Sequence, residues 1–456
     1  MKRMIFSLTI FSFLSVFMVQ GLYAKDKDPL AGESLFKDVV HYSYLGDHRT
    51  ATVTDKVTAI WIRNRLKKAG YAIQMQEWTT RQFYPLRTEI IIDKTRGIDA
   101  FSGSRNRPHP DNPLKIEAFP VWWPKPTTPR GIEALLTDDL NNANGKIYLL
   151  INVTPATFSV TPALTAMINT AYNNGAVAVV VVTYFNGTTS IASDEFIGLN
   201  ATQATQDEWP IPVVSAMARD RQALDTAILN QSQVRVVSTG IYDDQAKALN
   251  VIGTLDRGPG SKVLVVSTPY SGWFTCAGER GAGVAFFLGL AEWAAHNTKD
   301  TTWIFTATSG HEIGGLGINH YLESAIAPGP ENTSAWAHLG AWQAMYEYVL
   351  EDGVLVPTDH MDFRLFQYKG DASLGNAVIA NFQKPEVGPW AGFYSRIFYG
   401  DLTAVSNPPY NYTNVFGISY AHEFHHSTQD LLNVTGPELL EPVARAYQET
   451  LEMLIP

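Results

Sequence analysis

A histidine and a glutamate stand side by side directly after a short apolar run. His311 and Glu312 follow residues 302–307, a β-rich stretch that ends in small residues, and a helical pattern begins beyond them. Because open α/β sheets place their chemistry at the carboxyl ends of strands, this order predicts that both side chains lie at such an end. An imidazole and a carboxylate can bind a metal ion or transfer a proton. The alternative is a purely structural role, in which His311 only forms a hydrogen bond with the backbone at the strand end.

A second polar group lies near the carboxyl terminus. His425 and His426 are adjacent, and Asp430 follows four residues after His426. The side chains of adjacent histidines after a strand point in different directions, so one of them can point into a functional site. An aspartate can orient a metal-binding imidazole, and this is the role that Asp430 offers.

Two further charged residues occupy a glycine-rich turn before an apolar helix. Glu279 is a candidate metal ligand, and an ion pair with Arg280 is the equally weighted alternative. Arg280, at the start of the helix, is also a candidate for binding a substrate carboxylate. Cys276 is the single cysteine, so the chain forms no internal disulfide, and a buried thiol is its usual fate.

Composition narrows the class of protein. The chain has 456 residues, 45% of them hydrophobic, which is enough for a large core and a second domain. Its net charge of -10 argues against a nucleic-acid partner.

The amino terminus has the pattern of a signal peptide. A basic start precedes the apolar run 4–19, and Gly21 and Ala24 supply small residues before a polar segment. We expect cleavage after Ala24 and a periplasmic or secreted protein without a stable membrane anchor. An uncleaved anchor is the alternative, and no other stretch is apolar and long enough to span a bilayer.

The elements that must position these residues form an α/β pattern. Residues 25–119 begin with a helix at 54–70 and continue as strands at 71–78 and 86–93. Residues 239–456 carry strands at 248–255 and 262–267, predicted to pair as a hairpin, then a helix and the strand 303–306. Strand–helix–strand order predicts a mostly parallel or mixed sheet with helices on both faces. An amphipathic helix at 436–454 closes the chain.

The pattern of residues 120–238 predicts a separate compact unit. Apolar strands at 145–151 and 175–182 flank a helical stretch, and a further strand and helix follow. This order resembles the protease-associated domain, a small α/β insertion that several exopeptidases carry. We therefore expect an inserted domain over 120–238.

From residue 248 onward the order of segments resembles the zinc-dependent exopeptidases of the bacterial aminopeptidase and glutamate carboxypeptidase family. That family has a strand ending in His-x-Asp, a glycine-rich segment with a metal-bridging Asp, and the run Glu-Glu-x-Gly. An Asp ligand follows, and the last ligand is a His four residues before an Asp. The resemblance implies two zinc ions that activate one water, with the first Glu of the pair as general base.

Position by position, this chain departs from the pattern. The His-x-Asp positions hold Pro269 and Ser271, and His311 stands at the position of the base. The resemblance implies metal ligation by the following residues: Glu279, Glu312, His338 and His426. For His338, an ordinary core histidine is the alternative. The surviving set predicts one zinc ion or none, with His311 as the catalytic residue.

These residues define the hypotheses for function. The first is a metallopeptidase-like hydrolase that cleaves a peptide or small amide with zinc-activated water. The resemblance implies the aminopeptidase type, and the expected substrate contacts are Arg280, Trp273 and Tyr270. The second is a non-catalytic protein that binds a peptide or small ligand on a degenerate peptidase scaffold. A third is other amide chemistry, such as cyclisation, on the same fold. Aromatic residues between 353 and 411 either wall the site or pack in the core.

Overall fold

The computed structural model describes residues 28–93, 113–154, 159–185, 198–201, 207–258, 262–351, 354–395 and 397–455. The expected signal peptide and its cleavage position lie outside these residues. None of the helices in the described ranges is both long and apolar enough to cross a membrane.

The amino-terminal part consists of two helices and one long strand. These elements are α1 (Gly32–Tyr44), α2 (Val53–Lys68) and β1 (Ala72–Ile92). Thr52 caps α2 by accepting a hydrogen bond from the Asp55 backbone N–H at 3.3 Å. The two strands expected at 71–78 and 86–93 are one strand, because β1 continues through two local register irregularities, at Thr80/Gln82 and Pro85/Arg87.

A smaller α/β unit follows. Its elements are β2 (Leu114–Pro120), β3 (Ile132–Thr137), β4 (Ile147–Thr154), α3 (Pro162–Asn173), β5 (Ala178–Phe185), β6 (Val213–Ala216) and α4 (Arg221–Leu229). Alternation along β5 divides its core, because Val180 and Val182 pack on the α4 side whereas Val179 and Val181 pack on the α3 side. The unit therefore buries apolar side chains on both faces of its strands.

The larger part of the chain carries the remaining elements. They are β7 (Gln233–Leu255), β8 (Lys262–Pro269), α5 (Ala282–Asn297), β9 (Thr301–Thr308), α6 (Leu316–Glu323), β10 (Thr333–Leu339), β11 (Tyr346–Glu351), β12 (Val354–Met361), β13 (Arg364–Lys369), α7 (Ala372–Phe382), β14 (Trp390–Ser395), α8 (Leu402–Ser406), β15 (Val415–Ser419) and α9 (Pro437–Leu454).

One mixed sheet organises both parts, in the strand order β1-β2-β6-β5-β4-β3-β7-β9-β8-β10-β15-β13-β14. Strands β9, β8, β10 and β15 are mutually parallel, and β7 runs antiparallel to β9. The expected hairpin of β7 and β8 is wrong, since β9 lies between them. Strands β7 and β8 follow each other in sequence, but the chain then crosses over through α5 and places β9, parallel to β8, between them. The α/β class with a mixed sheet is confirmed.

Helices cover both faces of the larger sheet region. Leu264 and Val266 of β8 pack with α1, α2, α5 and α9, whereas Val265 packs with α6 and α8. Among the aromatic residues after 353, Phe366 and Phe382 are buried, with ring centroids 4.3 Å apart. These two rings are core packing, not a wall of the site.

His48 is held neutral inside this fold. Its Nδ1 lies 3.1 Å from Thr58 Oγ1, its Nε2 lies 2.9 Å from the Tyr42 carbonyl, and its ring stacks on Tyr42. Burial lowers the pKa of His48 to about 3. Because the unfolded side chain takes up a proton below pH 6.5, stability from neutral His48 is complete above that pH and is lost as pH falls toward 3.

We therefore expect the free energy of unfolding of wild type to fall by about 2 kcal/mol more than that of His48→Gln when the pH is lowered from 7.5 to 5, measured by urea unfolding. His296→Gln, at a solvent-exposed histidine of α5, is the matched control and leaves the pH dependence unchanged. Equal pH dependence in wild type and His48→Gln would contradict this account.

Candidate active site

Four parallel strands deliver polar residues to one edge of the sheet. Ser271 follows the end of β8, Glu312 follows β9, and His338 stands near the end of β10. The loop that carries His425 and His426 follows β15. Parallel strands bring their carboxyl ends to a common edge, so residues far apart in sequence meet there.

One π-helical turn, Ala277–Gly281, precedes α5 and aims two charged side chains inward. Asp430 holds this turn, because its Oδ1 accepts the Gly278 N–H at 2.6 Å and its Oδ2 accepts the Glu279 N–H at 3.0 Å. Gly278 is required, since a Cβ there would meet Val434 Cγ2 at 2.5 Å. Burial raises the pKa of Asp430 to about 8. Asp430 thus supports the turn that carries Glu279.

Glu279, Arg280 and Glu312 form a buried charge cluster. Arg280 Nη2 lies 2.8 Å from Glu279 Oε1 and 3.6 Å from Glu312 Oε1, and all three side chains are at most 1% exposed. Burial opposes ionisation of Glu279, but Arg280 and the nearby histidines outweigh it and hold the pKa of this carboxyl well below its usual range. The ion pair of Glu279 with Arg280 is therefore present in the structure.

The other oxygen of Glu312 is fixed by hydroxyl groups. Ser271 Oγ donates to Glu312 Oε2 at 2.8 Å and accepts the Gly310 N–H at 2.9 Å. Thr50 Oγ1 lies 3.5 Å from the same carboxylate oxygen. Ser271 thereby connects the end of β8 to the turn after β9, and Glu312 Oε1 is directed toward Arg280.

Hydrogen bonds assign different tautomers to the adjacent histidines. His426 Nδ1 donates to the Gly198 carbonyl at 2.9 Å, which leaves Nε2 facing Glu279 Oε1 at 3.4 Å. His425 Nδ1 instead accepts the Trp342 Nε1–H at 2.7 Å, although it lies only 3.8 Å from Glu279 Oε1. Because Nδ1 of His426 is engaged by the Gly198 carbonyl and Nδ1 of His425 by the Trp342 indole, Nε2 of His426 is the imidazole nitrogen beside Glu279 that could bind a metal ion.

His311 and Asp401 form a dyad on the same edge. His311 Nδ1 lies 2.7 Å from Asp401 Oδ1, and the imidazole is 16% exposed. Burial favours the neutral form of Asp401, but His311 outweighs it, with His338 and Arg280 adding to the effect, and the pKa stays below its usual value. An ionised Asp401 fixes the proton on Nδ1, so His311 Nε2 is the basic nitrogen.

The remaining predicted residues are buried around this cluster. His338 Nδ1 lies 2.8 Å from Ser267 Oγ, and burial lowers its pKa to about 4. Trp273 donates its Nε1–H to Asn200 Oδ1 at 2.8 Å, with its ring 6.4 Å from His426. Tyr270 has no exposed surface and donates its hydroxyl to the Leu249 carbonyl.

The structure therefore brings Glu279, Arg280, Glu312 and His426 together. His311 lies on the same edge with Asp401, a residue that sequence reasoning missed because it is 90 positions away. Nothing in the residue pattern marks Asp401. The Gly198 carbonyl, which orients His426, was likewise missed, since no sequence signal identifies a backbone acceptor.

A second cluster of possible ligands, Asp362, His422 and Glu423, lies outside this site. His422 Nδ1 accepts the Phe424 N–H at 3.3 Å, which keeps the proton on Nε2, the nitrogen nearest both carboxylates. The hydrogen-bond pattern therefore argues against metal ligation there.

The architecture is similar to that of solved zinc aminopeptidases, which confirms the expected fold class. BSAP, a zinc aminopeptidase from Bacillus subtilis, aligns with a TM-score of 0.66 and 15% identity over 93% of this chain and 95% of its own. A peptidase precursor from Shewanella amazonensis aligns with a TM-score of 0.65 and 15% identity, and 93% of each chain is covered. An aminopeptidase from Aneurinibacillus sp. strain AM-1 gives 0.59 and 16%, also over 93% of each. No family model and no curated protein matches the sequence.

The residues present fit one metal ion and not two. The 3.4 Å between Glu279 Oε1 and His426 Nε2 matches two neighbouring ligands of a tetrahedral ion with bonds of about 2.0–2.2 Å. A carboxylate oxygen and an imidazole nitrogen at this distance share either a proton or a cation. Within the part of the chain that the structure describes, Arg280 already bridges Glu279 and Glu312, and the His-x-Asp positions hold Pro269 and Ser271, so neither pair of positions offers a place for a second ion.

The role of Asp430 is testable by stability. Asp430→Ala leaves two buried N–H groups unpaired, and we expect a loss of roughly 2–4 kcal/mol in the free energy of unfolding, measured with urea. The matched control is Asp139→Ala, which removes one exposed hydrogen bond to the Asn141 N–H and costs less than about 1 kcal/mol. Equal losses in both variants would show that Asp430 does not hold the turn.

Proposed function

We propose that the protein is a hydrolase that cleaves a peptide or small amide bond. The observation that carries the proposal is the His311–Asp401 dyad, located at the strand edge that also holds Glu279, Glu312 and His426. A base whose free nitrogen is fixed by a buried carboxylate is the arrangement that general-base catalysis requires. The zinc aminopeptidase fold supports this class of reaction.

In this proposal different residues transfer the proton and bind the metal ion. His311 Nε2 takes the proton of the attacking water, and Asp401 keeps the other proton on Nδ1. Glu279 and His426 would hold one divalent ion, with Glu312, on the other side of Arg280, as a further candidate ligand. When bound, the ion polarises the scissile carbonyl and lowers the pKa of a bound water. His338, fixed by Ser267, borders the dyad as a neutral group and completes the set of proposed site residues.

The proposal extends to the type of cleavage, the location of the protein and its inserted domain. Aminopeptidase-type cleavage and a periplasmic or secreted location rest on the fold and on the amino-terminal pattern. The unit formed by β2 to β6 with α3 and α4 supports the inserted-domain assignment, with residues 120–238 as its proposed extent. Residues 198–201 of this unit reach the site, where the Gly198 carbonyl bonds His426 and the Ala201 N–H bonds the Glu312 carbonyl.

The dyad is tested by comparing His311→Gln with Asp401→Asn. We expect each to lower kcat on aminoacyl and peptide anilides by about 10²–10⁴, because one loses the base and the other loses the correct tautomer. His296→Gln, an exposed histidine far along α5, keeps wild-type kcat. Unchanged kcat in both dyad variants would remove the basis of the proposed mechanism.

The metal is tested by mutating the adjacent histidines separately. We expect about one zinc per wild-type chain by elemental analysis, loss of that zinc in His426→Ala, and retention in His425→Gln, whose side-chain oxygen can still accept the Trp342 N–H. Equal loss in both variants would contradict the tautomer assignment. Metal-free wild type that gains thermal stability from a peptide would instead favour the non-catalytic binding protein.

A further inference from the structure

Two buried carboxylates at the centre of the site share one cation. Glu279 comes from the turn before α5 and Glu312 from the turn after β9, and both side chains are at most 1% exposed. Two ionised carboxylates buried together repel, and burial strengthens that repulsion. Among the described residues, Arg280 is the cation within 4 Å of both. Arg280 therefore faces both carboxylates at once.

Arg280 is fixed in this position and is not a mobile surface cation. Its Nε donates to the Ser271 carbonyl at 3.1 Å, and its side chain is 1% exposed. Gly272 provides the room, because a Cβ there would lie 3.2 Å from Arg280 Cγ and 2.2 Å from Cys276 Sγ. Burial opposes the charge on Arg280, but Glu279 and Glu312 outweigh it and raise the pKa of the guanidinium.

We propose that the Arg280 guanidinium is a built-in cation that takes the place of a second metal ion between Glu279 and Glu312. The site is thereby limited to a single exchangeable ion, on the His426 side of Glu279. This inference rests on the proposed function only for the presence of that single ion. It also assigns Arg280 a different role from capture of a substrate carboxylate, since its contacts with Glu279, Glu312 and Ser271 are already made.

The test is metal stoichiometry in Arg280 variants of the full chain. Arg280→Met removes the charge and leaves two adjacent carboxylates, and we expect one more zinc per chain than wild type after equilibration with zinc and dialysis, measured by elemental analysis. Zinc should also raise the Tm of Arg280→Met more than that of wild type. Arg280→Lys keeps a cation and should match the wild-type zinc content.

A double variant supplies the matched control. Arg280→Met with Glu312→Gln removes one carboxylate together with the arginine, so it should bind no additional zinc. If Arg280→Met folds only when zinc is present and magnesium does not replace it, the inference is supported, because the ion then supplies the missing charge. Folded Arg280→Met with wild-type zinc content would overturn it.

The outcomes separate this inference from the proposed function. Wild type without zinc and Arg280→Met with one zinc would support the built-in cation while removing the metal from the proposed mechanism. Two zinc ions in wild type would overturn the built-in cation and leave the hydrolase proposal standing.

Discussion

The balance of buried charge among Glu279, Arg280 and Glu312 constrains the rest of the site. Both glutamates are at most 1% exposed, and transfer of an unpaired carboxylate from water to the protein interior is costly. Arg280 supplies a positive charge within the chain, at 2.8 Å from one carboxylate and 3.6 Å from the other. The turn that carries Arg280 and the glycine that gives it room are consequences of this requirement.

Positioning of the cluster depends on groups that carry no chemistry of their own. Asp430 accepts two backbone N–H groups of the turn, and Ser271 connects Glu312 to the Gly310 backbone. Hydrogen-bond partners also set the tautomers of the two histidines, since a backbone carbonyl accepts from His426 Nδ1 whereas the Trp342 indole N–H donates to His425 Nδ1. Two identical residue types, adjacent in sequence, thus acquire different chemical capacities.

Local patterns predicted much of the fold. The helices α3, α5 and α9 and the strand β9 lie where periodicity and apolar runs placed them, because these signals act within one element. Strand pairing was harder to predict from the sequence. The short connection between β7 and β8 favours a hairpin, but a crossover through α5 inserts β9 between these two strands. Sequence also identified Glu279, Glu312 and His426 as candidates through a family resemblance, without indicating which of them would contact which.

The sequence by itself determined the α/β class, the polar residues at strand ends and the departures at Pro269 and Ser271, because residue type and local spacing carry that information. Tertiary structure alone decided that Arg280 lies between two carboxylates, that Asp401 meets His311, and that Gly198 orients His426. The physical reason is that each of these contacts joins segments brought together by strand order and burial. Charge pairing and tautomer depend on the atoms that surround a group in space, and the position of a residue along the chain does not specify them.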